Sequence, residues 1–241
     1  PGLAGSRLYR GTDKVWFPFA NGTDNDAEDL FLNASGISVR SDISAKDGDV
    51  VEDAYNTEDI YKGLPELLNS LRTSNDIADW KVASYDWRLD YDTLLKSGVQ
   101  TGYLISYLTP TSTPYILQTL RTLAAEAKSH KVIIVTHSNG GLLAKSLVKM
   151  LEDTHDPLLN NIEQVVLVAP PQLGAPKSIV SMLHGDENPL KKVGPLAMSN
   201  TAFRQLTENM PSMFNLLPSY AYGNLPSVPF ARFEYPSGHS D

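Results

Sequence analysis

The chain has 241 residues, 41% of them apolar and 20% charged, which is enough for one large α/β domain with its own core. Its net charge of −8, with no basic cluster, opposes phosphate backbones and excludes nucleic acid as an expected partner. With no cysteine there is no disulfide, no thiolate nucleophile and no Cys-ligated zinc; the compartment stays open, an extracellular or cell-envelope setting being favoured.

The chain opens on PGLAGS, residues 1–6, a Pro/Gly loop. Residues 11–56 are rich in Asp, Asn, Gly and Ser, with short apolar pieces such as VWFPF and DLFL. They read as an irregular insertion with one or two short hairpins. From 57 the pattern becomes helical, with Ile60, Leu64, Leu67, Leu68 and Leu71 on one face and Thr57 as N-cap. Pro65 either kinks this helix or marks its true start.

WKVASYDW, residues 80–87, alternates as a strand does. Residues 114–129 predict an amphipathic helix through Ile116, Leu117, Leu120, Leu123, Ala124 and Ala127. KVIIVTH, ending at His137, is a continuous apolar strand of the kind covered on both faces. A helix over 139–152 and a second buried strand, IEQVVLVAP at 162–170, follow. Strand, helix, strand, helix, strand in that order implies a parallel sheet with right-handed crossovers.

After 176 the pattern breaks into short apolar pieces separated by Pro, Gly and Asn, expected to be an inserted cap. Only VPFARFEY, 228–235, alternates there. The expected division is a partial α/β core over 1–176 and a cap over 177–241. No run approaches the ~18 apolar residues of a membrane span.

The stretch VTHSNGG carries the chemistry. A nucleophile elbow presents Ser on a tight strand-to-helix turn, with small residues two before and two after it. Gly140 meets that need; Thr136 stands where Gly is usual but is still small. Ser138 is therefore the candidate nucleophile, at the carboxyl edge of the sheet, with the amides of the following helix near any developing oxyanion. The plainer alternative is that Ser138 only caps that helix. His137 is expected to point away across the elbow and to pack rather than act as base.

PGLAGS, SYDWRLD, THSNGG, APPQLGAPKSI and NMPSMFNLLPS, in this order, resemble the lecithin:cholesterol acyltransferase family of α/β-hydrolases, which includes phospholipid acyltransferases, phospholipase A-type enzymes and lipase-like members. The resemblance covers residues 1–6 and roughly 57–220, with 11–56 outside it. It implies an α/β-hydrolase-type parallel sheet flanked by helices, and an oxyanion hole from the backbone amides of Leu3 and Asn139. It also implies that Asp86 and Arg88 pair beside the site with Trp87 packed under them, and that PPQLGAP shapes the pocket wall. The implied substrate is a lipid or other ester, and no cofactor is implied.

On this fold the triad runs Ser, then Asp or Glu, then His. The chain is expected to stop before both partners and to start just after the strand that precedes the oxyanion loop. It thus reads as a piece of a longer hydrolase cut at both ends, which can be inert alone. His184 reads as a surface turn, His130 and His155 as solvent-facing helix termini, and His239 as a late loop lacking an acid-bearing strand before it. Four of the five Met lie between 182 and 213 among many Leu and Phe. They suit either acyl chains and a lipid surface or the cap's own core. Against the serine acyl hydrolase or acyltransferase stands a non-catalytic binding domain that kept the fold. The chain has no H-E-x-x-H, P-loop or G-x-G-x-x-G motif.

Overall fold

The computed structural model describes residues 1–16, 27–54, 58–185 and 198–223. Most of its strand content is antiparallel. β1 (Ser6–Arg10) and β2 (Asp13–Trp16) form a hairpin, with Arg10 opposite Asp13 and Gly11 in the tight turn at φ +59°. β3 (Ile43–Val50) pairs along the other side of β1; β4 (Asp53–Ala54) and β5 (Glu58–Asp59) make a separate two-stranded ladder. β6 (Ser97–Thr101) and β7 (Leu104–Pro110) form a second hairpin, and β7 docks on β3 with Ala45 opposite Ile105. The resulting sheet has the order β2-β1-β3-β7-β6. Period-two alternation buries Leu8, Ile43, Ala45, Ile105 and Tyr107 on the core side.

The sheet corrects two expectations. Residues 11–56 contribute hairpin strands, but those strands belong to a regular sheet shared with 97–110. The parallel arrangement is confined, among the described residues, to β8 (Val132–His137) and β9 (Ile162–Val168).

Residues 81–86 form no strand. Their polar groups bond elsewhere: Ser84 Oγ to Asp49 O at 3.0 Å, Tyr85 N to Ser6 Oγ at 3.1 Å, and Trp87 Nε1 to Ser6 O at 3.1 Å. Ser84 to Arg88 are all buried, so their alternating sequence does not mark a one-sided strand.

The helices are α1 (Gly63–Thr73), α2 (Tyr91–Lys96), α3 (Tyr115–Glu126) and α4 (Asn139–Asp153), then α5 (Lys177–His184), α6 (Asn200–Thr207), α7 (Pro211–Asn215) and α8 (Tyr220–Gly223). α1 begins after Lys62, not at 57, with Pro65 in its first turn, where a missing N–H costs nothing. Thr57 lies outside the described residues. Asp90 caps α2 by accepting from Thr93 N. α2 and α3 pack on β6, and α4 packs on β8.

β8 is not covered on both faces among the described residues: Ile133 and Val135 are 57% and 44% exposed. β9 is likewise only half-buried. Met198, Met210 and Met213 are buried in the same apolar cluster as Leu8, Trp16 and Trp87. The strand expected at 228–235 lies outside the described residues.

Candidate active site

β8 ends at His137 and α4 begins at Asn139, so one residue makes the turn. Ser138 takes φ +52° and ψ −126°, a conformation that costs a non-glycine residue about 1–3 kcal/mol. Both of its backbone groups are pinned. Its N–H donates to Val168 O at 2.9 Å, and its carbonyl accepts from Gly141 N–H at 2.9 Å. Its side chain makes no cap hydrogen bond to α4, so the simple capping alternative does not hold.

Small residues are required around it for measurable reasons. Thr136 is buried, and its hydroxyl donates to Val166 O at 3.0 Å across the β8–β9 pair. A Cβ on Gly140 would stand 2.4 Å from Pro1 O, and one on Gly141 would stand 2.7 Å from Pro170 Cβ.

The loop PGLAGS lies against the turn. A Cβ on Gly2 would stand 2.9 Å from Ser138 Cβ. Gly5 N–H donates to Gly2 O at 3.1 Å, closing a turn in which Ala4 takes φ +59°. A trans peptide points its N–H opposite its carbonyl, so the Leu3 N–H faces away from that turn. None of the described residues accepts from it. Asn139 is the first residue of α4, and its N–H has no intrahelical acceptor.

A family model for lecithin:cholesterol acyltransferase matches residues 12–229. The chain belongs to the lecithin:cholesterol acyltransferase family. The match takes in the 11–56 stretch expected to lie outside it, and it begins after PGLAGS. Searches of curated proteins and of solved structures found no match. Family membership carries the α/β-hydrolase class and an acyltransferase- or lipase-like activity on lipid esters.

In this member of the lecithin:cholesterol acyltransferase family, tyrosines fasten the loop and the elbow together. Tyr85 OH donates to Pro1 O at 2.8 Å, and Tyr91 OH donates to Asn139 Oδ1 at 2.5 Å. Asn139 is fully buried. Tyr61 OH accepts from Gly2 N–H at 2.8 Å and lies 2.8 Å from His137 Nδ1. Burial lowers the His137 imidazole below its ordinary 6.5. His137 thus faces Tyr61 through Nδ1. No sequence motif marked Tyr61; Tyr85 sat inside SYDWR without a role given to it.

Asp86 and Arg88 do pair, through Arg88 Nε to Asp86 Oδ1 at 2.9 Å and Arg88 Nη2 to Asp86 Oδ2 at 2.6 Å. Both are buried, and Arg88 Nη1 also donates to Leu30 O at 2.9 Å and Ser38 Oγ at 3.1 Å. Ser212 N–H donates to Arg88 O at 3.2 Å. The pair thus ties residues 30–38 to the core, while the Arg88 main chain holds α7, and no hydrogen bond joins the pair to Ser138 among the described residues. Trp87 is buried against Trp16, with ring centroids 4.9 Å apart.

PPQLGAP meets residues 216–219 through Ala175 N–H to Leu216 O at 2.7 Å and Ser219 N–H to Leu173 O at 2.8 Å. Together with Tyr91 of α2 and Leu142 and Lys145 of α4, this turn lines a cleft of about 250 Å³. His130, His155 and His184 are exposed. His239 lies outside the described residues. Among the described residues, no hydrogen bond joins the Ser138 hydroxyl to a histidine, and no group of three or more His, Asp or Glu is placed to hold a metal ion. Nor is any helix among them long and apolar enough to cross a membrane.

Proposed function

We propose that the chain carries the nucleophile of a serine acyl hydrolase or O-acyltransferase acting on lipid esters, Ser138. The observation that carries this reading is the positive φ of Ser138 at a one-residue turn, with the Gly2 backbone against its Cβ. Strain of that kind persists only where the surroundings enforce it, and it clusters at reactive residues.

In the proposed reaction the Ser138 hydroxyl attacks the ester carbonyl. A bond forms between its oxygen and the carbonyl carbon while its proton passes to a base. The Leu3 and Asn139 amides donate to the oxyanion that develops. Collapse breaks the ester bond, and the leaving alcohol takes the proton. Water or an acceptor alcohol then releases the acyl group from Ser138. No hydrogen bond ties Ser138 to a base among the described residues. Thr136, Gly140, Asp86, Trp87 and Arg88 support the site without touching substrate. Leu183, Phe214 and Tyr220, exposed on the last helices, suit contact with a lipid surface.

A non-catalytic binding domain is the second reading, favoured by the engagement of His137 with Tyr61 and by the absence of a described base at Ser138. A fluorophosphonate probe separates the two. The full-length protein becomes covalently labelled at Ser138 and the Ser138→Ala variant does not. An unlabelled full-length protein refutes the catalytic reading. Preference for short soluble esters over long-chain lipids in the labelled protein refutes the lipid assignment.

A further inference from the structure

We propose that Tyr61 is a positioning residue of this acyl-transfer site. Its hydroxyl fixes the peptide on the near side of Gly2 and so aims the Leu3 amide, with His137 as the hydroxyl's second anchor. The proposal rests on the Ser138 reading and extends it to a residue 77 positions away in sequence (138 − 61).

Gly2 is the loosest point of the loop by chemistry, since glycine has the widest backbone freedom. It is also where freedom would do most harm, because its ψ sets the plane of the Gly2–Leu3 peptide. Two bonds remove that freedom. Gly2 N–H donates to Tyr61 OH at 2.8 Å, and Gly2 O accepts from Gly5 N–H at 3.1 Å. With both flanking peptide planes held, the planar trans geometry leaves one direction for the Leu3 N–H.

The Tyr61 hydroxyl has one proton and two lone pairs. A lone pair receives Gly2 N–H, so the proton is free to go to His137 Nδ1 at 2.8 Å. The two rings meet edge to face, with centroids 5.6 Å apart and planes at 74°. The Tyr61 ring also closes on Gly5, where an added Cβ would stand 3.0 Å from Cε2. His137 is joined to Ser138 by the chain, so the arrangement is a short circuit. Nucleophile, neighbouring imidazole, phenol and oxyanion loop are locked in one register.

Tyr61→Phe keeps the ring and removes the hydroxyl. Losing one oxyanion donor outright costs about 10²–10³ in kcat, so a misdirected donor should cost roughly 10- to 100-fold. The full-length protein, assayed on a p-nitrophenyl ester well below its Tm, should lose that factor in kcat with KM held. An unchanged kcat overturns the proposal, as does a loss of kcat that vanishes when the assay is cooled further below Tm.

His137 gives a second test that does not depend on how Tyr61→Phe folds. His137→Asn offers Oδ1 where Nδ1 stood and should lose less kcat than His137→Phe; equal losses overturn the proposal. Ser138→Ala is measured alongside. If Ser138→Ala keeps its activity, the nucleophile assignment falls and takes the proposal with it. If Ser138→Ala is dead while Tyr61→Phe is intact, only the positioning role falls.

Discussion

The carbonyl oxygen of Pro1 stands 2.4 Å from where a Cβ on Gly140 would be, so the loop that precedes β1 sits directly on the first turn of α4. No flexible side chain can yield there, because the opposing atom is backbone. Gly140→Ala should push the Pro1–Gly5 loop off the elbow and carry the Leu3 amide with it. We expect kcat/KM on an ester substrate to fall at least about 10²-fold, the cost of losing one oxyanion donor. Circular dichroism should show the fold retained. Wild-type activity in this variant would mean the loop is not seated on α4.

Tyr85 holds the same loop by its hydroxyl bond to Pro1 O. Burial raises this phenol far above its ordinary pKa, so it stays a donor through the usual pH range. Tyr85→Phe leaves the Pro1 carbonyl without that donor. We expect about 0.5–1.5 kcal/mol of stability to be lost, by urea unfolding. If Tyr85 acts on the loop, its effect on kcat should be non-additive with Tyr61→Phe, because both restrain one segment.

Parts of this architecture were legible because their signals are local. The apolar run before Ser138, the small residue after it and the helical spacing from Asn139 onward sit in one continuous stretch, and β8, the turn and α4 formed there. The five-stranded sheet was not legible in the same way. Its central pairings join β1 to β3 and β3 to β7 across long polar stretches, and no local pattern states which strands meet. The β6–β7 hairpin did carry a sign, Thr101-Gly102-Tyr103-Leu104 between β-forming residues, with Gly102 at φ +61°. SYDWR misled in the opposite sense. Its alternation suggests one wet face, yet every residue from Ser84 to Arg88 is buried and its polar groups bond to Ser6, Asp49 and Leu30. Tyr61 had no sequence signature because its role comes from a contact 59 residues away.

His137 offers a direct spectroscopic check. Its imidazole is held below 6.5 chiefly by burial, and a donated hydrogen bond from Tyr61 would further favour the neutral ring. A histidine depressed in the folded state supports the fold above its unfolded pKa and withdraws that support as pH falls. Ring-proton NMR titration should place His137 below 6.5 in the wild type and move it upward in Tyr61→Phe. A value at or above 6.5 in the wild type contradicts the geometry described for the pair.

Asp47 should govern part of the acid stability of the antiparallel sheet. Burial alone would raise its carboxyl, but hydrogen bonds from Tyr115, Lys81 and Gln100 and the Lys81 charge bring it below the ordinary 3.8. The contacts are Tyr115 OH at 2.5 Å, Lys81 Nζ at 3.0 Å and Gln100 Nε2 at 3.1 Å. A depressed carboxyl stabilises above its unfolded pKa, and that contribution disappears as pH falls through the folded value. Asp47→Asn should therefore lower Tm at pH 7 and narrow the gap to wild type below about pH 3, the lower side of the carboxylate range. A gap that stays constant from pH 7 to pH 2 would mean that Asp47 contributes through packing alone.

Arg88 tests whether the SYDWR segment is structural. Its guanidinium meets Asp86 on two oxygens, and the side chains are 1% and 5% exposed. Arg88→Leu leaves a buried carboxylate unpaired and orphans the acceptors at Leu30 O and Ser38 Oγ. Breaking such a pair from one side costs about 3–5 kcal/mol. Arg88→Lys should recover little of it, because an ammonium cannot reproduce the planar two-point contact. Replacing both partners, Asp86→Leu with Arg88→Leu, should be less destabilising than Arg88→Leu alone, since no charge is then stranded. Urea unfolding of the three variants reads this directly. If the double variant is the least stable of the three, the pair contributes more than charge compensation. The loss would then lie in anchoring residues 30–38, where the Arg88 side chain donates to Leu30 O and Ser38 Oγ.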